Sequence, residues 1–395
     1  MRTAVIGGGA AGFFLAINLK EMMPEMEVTI FERSSRVLAK VEVSGGGRCN
    51  CTNTFVGIHD LQVAYPRGHR LLKRLFKVFD YQEAYQWFEH HGVSLVTQND
   101  QCVFPKSQDS HAIINCFLSL ARRYHIDICT GKKIQSLKEV QGYDFVAVTT
   151  GGSPKGEGLR WLMDLGHEIE TPVPSLFTFS IADETLKTLM GTVVEQTTVM
   201  IPDTKFRACG PLLITHWGLS GPAILKLSSY AARQLAEQDY RMPLSVHWVE
   251  SGDHDVRQAL AEAMVQYSHK QLPTLNPFGL PQRLWYYLLW KALESRSLIR
   301  WSELNKKDIN RLVNRLCNDT YQITGRAPFK DEFVTCGGVS LKSVVPSTLE
   351  SKIIPHLYFA GEVLDVDGIT GGFNFQAAWT TAYTVACSIA SMSRE

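Results

Sequence analysis

The sequence predicts an α/β protein in which both ends of the chain form one discontinuous Rossmann-like domain, interrupted by an inserted segment. Three observations support this prediction. The first 32 residues alternate strand, glycine turn, helix and strand; the middle changes to short β-rich runs and then helices; and a strand, a glycine loop and a helix return near the C-terminal end. Alternating strands and helices indicate a parallel sheet with crossover helices.

The N-terminal unit carries a dinucleotide-binding fingerprint. An apolar run at Arg2–Ile6 leads into the hexad Gly7-Gly8-Gly9-Ala10-Ala11-Gly12 and an apolar helix, and a second apolar run ends in Glu32, 20 positions after Gly12. Gly7 permits the turn, Gly9 lets the backbone approach a pyrophosphate, and Gly12 allows close packing of helix and strand. The helix N-terminus favours phosphates, and Glu32 can bind a ribose diol. These residues alone leave NAD(P) and FAD open.

The elements that follow also fit repeated strand–helix–strand units. After Glu32 we expect a loop over residues 33–54, and Gly92 is the expected left-handed residue after a helix. The predicted helices are Leu71–Phe79, Glu83–His91 and Ala112–Tyr124, and the predicted strands are Asp127–Thr130 and Phe145–Thr149.

The chain changes character near residue 186. The β-rich runs there, bounded by Pro and Gly, indicate an antiparallel or barrel-like part at about 186–250, and a helical part follows at about 251–329. The runs are Val193–Ile201, Leu212–Ile214 and Leu244–Val249, and the helices are Val256–Leu272, Pro281–Leu293 and Lys307–Cys317. We therefore expect residues 1–185 and 330–395 to form one domain and 186–329 the insertion. The returning elements are strands at Glu332–Val339 and Leu357–Ala360 and a helix at Gln376–Ser391.

Composition limits the function classes. The 395 residues carry a net charge of +1, with 45% hydrophobic and 20% charged residues, so charge gives no general case for nucleic-acid binding. Nine cysteines without a spacing framework fit reduced thiols, and no apolar stretch reaches membrane-spanning length. We expect a cytoplasmic protein without a metal site or a membrane segment.

A second motif surrounds Gly45–Asn53. Three consecutive glycines let the main chain pass close to a bulky group, and their amides can bind an anion. Arg48 adds a cation, and Asn50 and Asn53 add side-chain amides. The alternative is a glycine-rich surface loop. Cys49 and Cys51 lack a second ligand pair for zinc, which leaves a redox-active dithiol as the other reading of this pair.

A third motif begins at Gly361-Glu362 and ends in the Gly371–Gln376 turn. Glu362 follows a predicted strand and can hold a polyol hydroxyl, while the turn opens a long helix whose positive end can face an anionic ring. Together with the hexad at the other end of the chain, this motif fits a ligand that runs from an adenine to an isoalloxazine. The nucleotide predicted by the combined motifs is FAD.

These motifs resemble a known family. SGGGRCNCTN at residues 44–53, THWGLSGP at 215–222, VTCGGV at 334–339 and FAGEVLDVDGITGGFNFQAAW at 359–379 are similar to bacterial NAD(P)/FAD-dependent oxidoreductases of the BaiN/YhiN, aminoacetone-oxidase-like type. The resemblance implies a two-part FAD-binding domain and an inserted domain with a β-barrel part and a helical part. The segment Lys40-Val41-Glu42-Val43 departs from the usual apolar pattern before SGGG.

The resemblance also implies a set of FAD-lining residues. They are Gly7, Gly9, Gly12, Glu32, Gly46, Arg48, Asn50, Glu362, Gly372, Asn374, Phe375 and Gln376. The neighbouring positions that we expect to join them are Ala10, Ala11, Arg33, Lys40, Gly47, Cys49, Thr150, Gly151, Gly361 and Gly371.

No residue is identified as catalytic by the sequence. The weak candidates are Cys49 and His216; His216 is a possible acid/base or, with Ser220 as N-cap, a helix-capping group near Pro222. Arg70, Lys73, Arg74 and Lys77 form a basic stripe at helical spacing, which we interpret as the solvated face of an amphipathic helix. The apolar run 284–290 is expected in the core, with a subunit contact as the alternative.

Four functions remain open at this point. The first is hydride transfer between a small organic substrate and FAD, with NAD(P)H as a transient reductant, since no second G-x-G-x-x-G occurs in the chain. The second is an amine oxidase that uses O₂. The third is an RNA-modifying or RNA-binding flavoprotein, supported by the basic stripe and opposed by the near-neutral charge. The fourth is a flavin-binding protein without turnover.

Overall fold

The structure, a computed structural model, describes residues 1–327 and 334–393. The chain divides into two compact units, the first containing residues 1–174 and the described residues from 334 onward, and the second beginning at Ser175. The two ends of the chain therefore meet in one unit.

The first unit opens with alternating strands and helices. Its strands up to residue 175 are β1 Arg2–Ile6, β2 Glu27–Phe31, β3 Thr52–Asn53, β4 Leu95–Thr97, β5 Cys102–Pro105, β6 Asp127–Cys129, β7 Phe145–Val148 and β8 Ile169–Ser175. Its helices in this stretch are α1 Ala10–Met22, α2 Ala39–Gly47, α3 Leu61–Ala64, α4 His69–Leu75, α5 Tyr81–His90, α6 His111–Arg123 and α7 Arg160–Asp164.

The second unit combines strands and helices. Its described strands are β9 Phe179–Ile181, β10 Val193–Met200, β11 Arg207–Ile214, β12 Gly218–Ser220, β13 Pro243–His247 and β14 Asp319–Arg326. Its described helices are α8 Glu184–Lys187, α9 Pro222–Tyr230, α10 Ala232–Glu237, α11 Asp253–Gln266, α12 Gln282–Leu293 and α13 Lys306–Cys317.

The chain then returns to the first unit. The returning elements are β15 Val334–Val339, β16 Leu357–Phe359 and α14 Phe373–Met392. The predicted strand start at Glu332, like the predicted domain boundary at 329/330, lies outside the described residues.

A parallel sheet in the order β16-β7-β1-β2-β6 forms the centre of the first unit. Val5 of β1 pairs with Ile30 on one side and Ala147 on the other, and it is fully buried. A strand buried on both faces is typical of parallel sheets covered by helices. The C-terminal segment supplies edge strand β16, so the carboxyl ends of β1, β7 and β16 lie side by side. Two smaller sheets, β3-β5-β4 and β15-β8, complete the unit.

The six strands of the second unit close into an antiparallel barrel, in the order β10-β11-β12-β9-β14-β13 with β13 pairing back to β10. Apolar side chains such as Phe179, Leu212 and Leu244 belong to its buried core. The predicted insertion start at 186 is too late, because β9 at 179–181 is already a barrel strand. The predicted helical part 251–329 likewise includes β14, which completes the barrel.

Helix α12 contains the apolar run 284–290, which was expected in the core with a subunit contact as the alternative. Leu284, Trp285 and Leu288 are fully buried, whereas Tyr286 and Trp290 are 48% and 53% exposed. The run is therefore mainly core, as expected. None of the described helices is long and apolar enough to cross a membrane.

Candidate functional site

The glycine hexad lies between the ends of β1 and β7 and the start of α1. Gly7 has φ +121°, and a Cβ placed on it would lie 2.4 Å from the Thr149 carbonyl oxygen. A Cβ on Gly12 would lie 2.0 Å from the carbonyl oxygen of Gly7. Both positions therefore require glycine because two backbone segments approach each other there.

Gly9 differs from these two glycines. Its backbone is extended (φ −95°, ψ −166°), and a Cβ on it would meet nothing within 4 Å. Gly9 is the N-cap of α1, and no side chain caps that end, so the first N–H groups of α1 stay open to an anion. Ala10, which follows it, is half-buried, while Ala11 is buried.

Glu32 lies at the end of β2 beside the hexad. Its Oε2 accepts a hydrogen bond from Gly8 N (2.9 Å), and its Oε1 accepts from both Ser34 N (2.8 Å) and Ser34 Oγ (2.9 Å). A carboxylate has about four acceptor positions, so one remains for a ribose hydroxyl. The adjacent Arg33 is exposed.

The second motif is a left-handed turn at the end of α2. Gly45, Gly46 and Gly47 have φ values of 57°, 70° and 84°, and a Cβ on Gly46 or Gly47 would meet nothing within 4 Å. Arg48 stabilises the turn through its side chain. Its Nε donates to Gly45 O (3.1 Å), and its guanidinium lies 4.2 Å from the Phe104 ring centroid. At Gly46 and Gly47 the turn therefore presents main-chain atoms to open space. The prediction of an unbroken loop over 33–54 is wrong, because α2 occupies part of it.

Cys49 does not fit a redox or catalytic role. Its side chain is fully buried, and burial raises the pKa of its thiol to about 12, only partly offset by a hydrogen bond with Ser44. Cys51 is also fully buried, and burial raises the pKa of its thiol well above the usual range. The thiolate is the reactive form of cysteine, so both thiols are inert at neutral pH.

The turn before α14 is fixed by residues of the second motif. Gly372 is the N-cap of α14 with φ +90° and no side-chain cap. The amide of Asn50 spans Thr52 O (3.1 Å) and Gly372 N (3.2 Å) in the orientation that pairs each donor with an acceptor. Asn53 Nδ2 donates to Gly371 O (2.9 Å). The two glycine-rich motifs, more than 300 residues apart, therefore form one interlocked structure.

Two side chains expected to line FAD are used inside the protein. Asn374 Nδ2 donates to Gly368 O (2.9 Å), and its Oδ1 accepts from Gly368 N (2.8 Å). Gln376 is fully buried, accepts from Thr52 Oγ1 (2.6 Å) and donates to Thr380 Oγ1 (3.1 Å). The expectation that the Gln376 side chain lines FAD is therefore corrected. Its amide is fully buried and connects β3 to α14.

Phe375, the residue between them, is half-buried. Its ring stacks on Trp379 at a centroid distance of 5.5 Å and an interplanar angle of 9°. The Trp379 indole in turn donates to Cys51 O (2.8 Å), so the stack joins the helix to the second motif.

The end of β16 closes the other side of the site. Gly361 has φ +77°, and a Cβ on it would lie 2.9 Å from the Ala11 Cβ, which places this turn against the first turn of α1. Glu362 Oε2 pairs with Lys40 Nζ at 2.8 Å, and its Oε1 accepts from Thr335 N at 2.8 Å. A Cβ on Gly151 would lie 3.7 Å from Glu362 Oε2, so this carboxylate also adjoins the end of β7, where Thr150 is exposed.

The charge on Glu362 is stabilised by these partners. Burial raises the pKa of its carboxyl group, but Lys40 and the hydrogen bonds from Thr335 N and Gly152 N outweigh burial, so the net pKa lies below the usual value. Glu362 is therefore ionised at neutral pH and neutralised by Lys40. The pair ties α2 to β16 across 322 positions of sequence.

A buried ion pair in the same loop was not predicted from the sequence. Asp367 is fully buried and Arg67 is 11% exposed; Arg67 Nε lies 2.5 Å from Asp367 Oδ1, and Nη2 contacts Oδ2. Tyr65 OH donates to Phe373 O (2.8 Å) nearby. Asp367 within a glycine-rich apolar segment was a signal for a buried acid, but no local pattern points to a partner 300 positions away.

His216 lies in the second unit, on the turn between β11 and β12. It is exposed, and its ring packs edge-on against Trp217 at 4.4 Å. The capping hypothesis is wrong, because the N-cap of α9 is Gly221 (φ +93°) and Ser220 belongs to β12. Across residues 1–327 and 334–393, no group of three or more His, Cys, Asp or Glu side chains is arranged to hold a metal ion.

Known proteins are similar to this chain over nearly its whole length. The family described as HI0933-like protein Rossmann domain matches residues 1–388. A 3-dehydro-bile acid delta(4,6)-reductase of Clostridium scindens is 26% identical over 97% of this chain and 97% of its own length. A ribosomal RNA dihydrouridine synthase of Haemophilus influenzae is 27% identical over 98% of this chain and 97% of its own length.

A solved structure shares the fold. The 3-ketosteroid delta1-dehydrogenase of Sterolibacterium denitrificans, in complex with 1,4-androstadiene-3,17-dione, aligns with a TM-score of 0.52 over 99% of both chains at 10% identity. At this identity the likeness concerns architecture alone.

Proposed function

The chain belongs to the HI0933-like family of FAD-dependent oxidoreductases, and on this premise we propose that it is a reductase of activated carbon–carbon double bonds. In this proposal NAD(P)H supplies the hydride, and a small organic molecule with a double bond conjugated to a carbonyl group receives it. FAD is the cofactor of the family, and when bound it would supply the chemistry of hydride transfer between the two.

The observation that carries the proposal is the chemistry common to two relatives. The one is named for reduction of a 3-dehydro-bile acid at delta 4,6 and the other for synthesis of dihydrouridine in ribosomal RNA. A 3-keto-4,6-diene and a uracil ring both contain a double bond polarised by a neighbouring carbonyl. A shared scaffold that reduces both is best explained by a shared acceptor group.

The residues at the site fit FAD. The uncapped start of α1 and the open face of Gly9 suit the pyrophosphate, and the acceptor left on Glu32 suits the adenosine ribose. The open turn at Gly46 and Gly47 and the uncapped start of α14 suit the isoalloxazine. We therefore assign cofactor binding to three backbone regions and the Glu32 carboxylate, rather than to the buried side chain of Gln376.

The chain contributes positioning and electrostatics. The first N–H groups of α14 carry partial positive charge and would stabilise negative charge on a bound flavin. Lys40 and Glu362 fix the end of β16 against α2, and Arg48 keeps the triple-glycine turn in its left-handed form. Cys49 and Cys51 take no part, because both are buried and neutral.

Anaerobic rapid mixing tests the proposal. The purified holoenzyme is mixed with NADH or NADPH, and then with cyclohex-2-enone, while flavin absorbance is followed. We expect a pyridine nucleotide to bleach the flavin and the enone to restore its colour, with the saturated ketone as product. Bleaching by aminoacetone alone, with recovery by O₂, would replace the proposal with an amine oxidase. Bleaching by neither donor would indicate a flavin-binding protein without turnover.

A second candidate substrate is a uridine in RNA. Arg70, Lys73, Arg74 and Lys77 are all exposed around α4, whereas Leu71, Leu72 and Leu75 are buried. The start of α4 adjoins the loop between Glu362 and Gly371, because a Cβ on Gly68, the N-cap of α4, would lie 2.6 Å from Val366 Cγ2.

The RNA candidate has a separate test. Uridine-containing transcripts are incubated with enzyme and NADPH, and dihydrouridine is measured by mass spectrometry. Replacing Lys73 and Arg74 by Gln should then lower RNA affinity and reduce the slope of log affinity against log salt by roughly 0.7 per lost phosphate contact. Arg122→Gln, an exposed position on α6, is the control. Unmodified transcripts together with turnover of the enone would restrict the function to small molecules.

A further inference from the structure

A polar cavity in the second unit lies outside everything described above. It has a volume of about 250 Å³ and lies between the C-terminal end of α12 and one face of α13. Its lining residues are Lys291, Ala292, Glu294, Arg311, Asn314 and Arg315. The lining therefore carries three cations, one carboxylate and one side-chain amide.

The spacing of α13 produces this concentration of cations. Arg311, Asn314 and Arg315 are three and four positions apart, so they share one face of the helix. The opposite face buries Leu312 and Leu316. The acidic residue of this helix, Asp308, is buried and paired with Arg296 at 2.8 Å, and the positive charge of Arg311 makes a smaller contribution to the lowered pKa of its carboxyl group.

Two of the cations are held in place by one buried carboxylate. Asp319 is fully buried, and its Oδ1 contacts both Lys291 Nζ (2.8 Å) and Arg315 Nη1 (3.1 Å). Its Oδ2 accepts from Trp248 Nε1 (3.1 Å) and from Tyr321 OH. All four acceptor positions of this carboxylate are therefore used, and its single charge is shared between two cations.

Donors remain available in the cavity. Arg311 and Asn314 are exposed, and among the residues that the structure describes neither side chain makes a hydrogen bond or ion pair with the protein. Burial and the positive charge of Arg315 lower the pKa of Lys291 despite Asp319, with Asp183 at 3.8 Å adding only a partial compensation. A cavity that disfavours a further cation and offers unused donors favours an anion.

We propose that this cavity, which we name the α12–α13 pocket, is a binding site for a phosphate group. The donors of Arg311, Asn314 and Arg315 line the pocket along one face of α13, and several donors match the oxygens of a tetrahedral phosphate better than a planar carboxylate. Lys291 adds positive charge, while its Nζ stays buried against Asp319 and the Tyr321 ring. The phosphate belongs either to a small phosphate ester or to the backbone of a polynucleotide. Glu294, on the rim and exposed, opposes the anion and limits its affinity.

Titration of the holoenzyme with inorganic phosphate, followed by calorimetry, tests the proposal. Arg311→Gln should raise the Kd for phosphate by about tenfold, as expected for a lost charge-assisted hydrogen bond. Glu294→Gln should lower the Kd, and Arg241→Gln, an exposed arginine of the same unit outside the pocket, should leave it unchanged. Acetate at the same concentrations should bind much more weakly.

Two further arms identify the source of the phosphate. AMP and a 12-nucleotide oligouridylate are titrated in the same way. Tighter binding of the oligonucleotide, weakened in Arg311→Gln, assigns the pocket to a polynucleotide backbone, whereas tighter binding of AMP assigns it to a small ester. Absence of saturable phosphate binding, equal binding by Arg311→Gln and Arg241→Gln, or equal affinity for acetate would overturn the proposal. Flavin reduction is measured in parallel, and we expect it to be unchanged, since the pocket is independent of the proposed reaction.

Discussion

Replacement of Gly9 by valine separates cofactor binding from folding. Gly9 is extended, a conformation open to any L-residue, and a Cβ there meets nothing within 4 Å. The Cβ of the valine would therefore enter open space beside the start of α1. In the proposed complex that space belongs to the pyrophosphate of FAD, so the same side chain should exclude the cofactor.

The expected magnitudes differ for the two effects. Valine is a poorer N-cap than glycine, which lowers the free energy of unfolding by about 1 kcal/mol. The lower conformational entropy of the unfolded chain raises it by about 0.4–1 kcal/mol. The free energy of unfolding of the FAD-free protein should thus change by about 1 kcal/mol or less. Two lost charge-assisted hydrogen bonds to phosphate, at about 1.5–3 kcal/mol each, correspond to a Kd for FAD raised roughly 10²- to 10⁴-fold.

The assay compares flavin retention with stability. The visible spectrum and an FAD titration report binding, and urea denaturation of the FAD-free proteins reports folding. Gly252→Val is the matched control, because Gly252 is also an extended N-cap without a side-chain cap, and a Cβ placed on it would meet nothing within 4 Å. Retention of FAD by Gly9→Val with a Kd within about threefold of the unsubstituted protein would refute the pyrophosphate assignment.

Three further substitutions test the surrounding structure. Gly12→Ala should destabilise the FAD-free protein by about 1–3 kcal/mol, because its Cβ would lie 2.0 Å from Gly7 O; unchanged urea denaturation would contradict this. Arg67→Met should cost about 3–5 kcal/mol by leaving Asp367 buried without its cation, and the double change with Asp367→Leu should recover part of that loss; equal losses would argue against the pair. Glu362→Gln should flatten the acid side of the stability profile: the pKa of this carboxyl group is lowered by folding, so its contribution is present above the usual carboxyl pKa and is lost as pH falls through the folded-state value. Urea denaturation at a series of acidic pH values checks this, and parallel profiles for the two proteins would contradict it.

The fold was largely predictable because its signals are local. The hexad, the alternation of apolar strands with amphipathic helices and the return of a strand after Leu357 each occupy a few consecutive residues. The start of the barrel was harder to predict from the sequence. Strand β9 has only three residues, Phe179–Ile181, which is too few to show the two-residue hydrophobic alternation of a strand. It is a strand because β12 and β14 pair with it. A pairing partner remote in sequence, rather than the run itself, determines that element.

The sequence motifs of the candidate site meet in the structure, but the partner of each side chain was not predicted. Residue type and spacing predicted that Asn50, Asn374 and Gln376 belong to glycine-rich turns, and the family resemblance implied that they line FAD. They could not predict the partner of each amide, because those partners are Gly372, Gly368 and Thr52, fixed only after the two ends of the chain meet. The pair of Arg67 and Asp367 was missed for the same reason.

These side-chain assignments change the interpretation of the motifs. The glycine turns at 45–47 and 371–372 bring main-chain atoms to the surface of the site, and such turns need external support because glycine is conformationally free. Arg48, Asn50, Asn53 and Asn374 supply it by bonding to backbone atoms within and around those turns. If this is their role, Asn374→Ala should weaken FAD binding through a loosened turn and also lower the free energy of unfolding of the FAD-free protein. If Asn374 instead contacted FAD directly, its loss would weaken FAD binding and leave the free energy of unfolding unchanged. Measuring the Kd for FAD and the free energy of unfolding in this one variant therefore distinguishes the two roles.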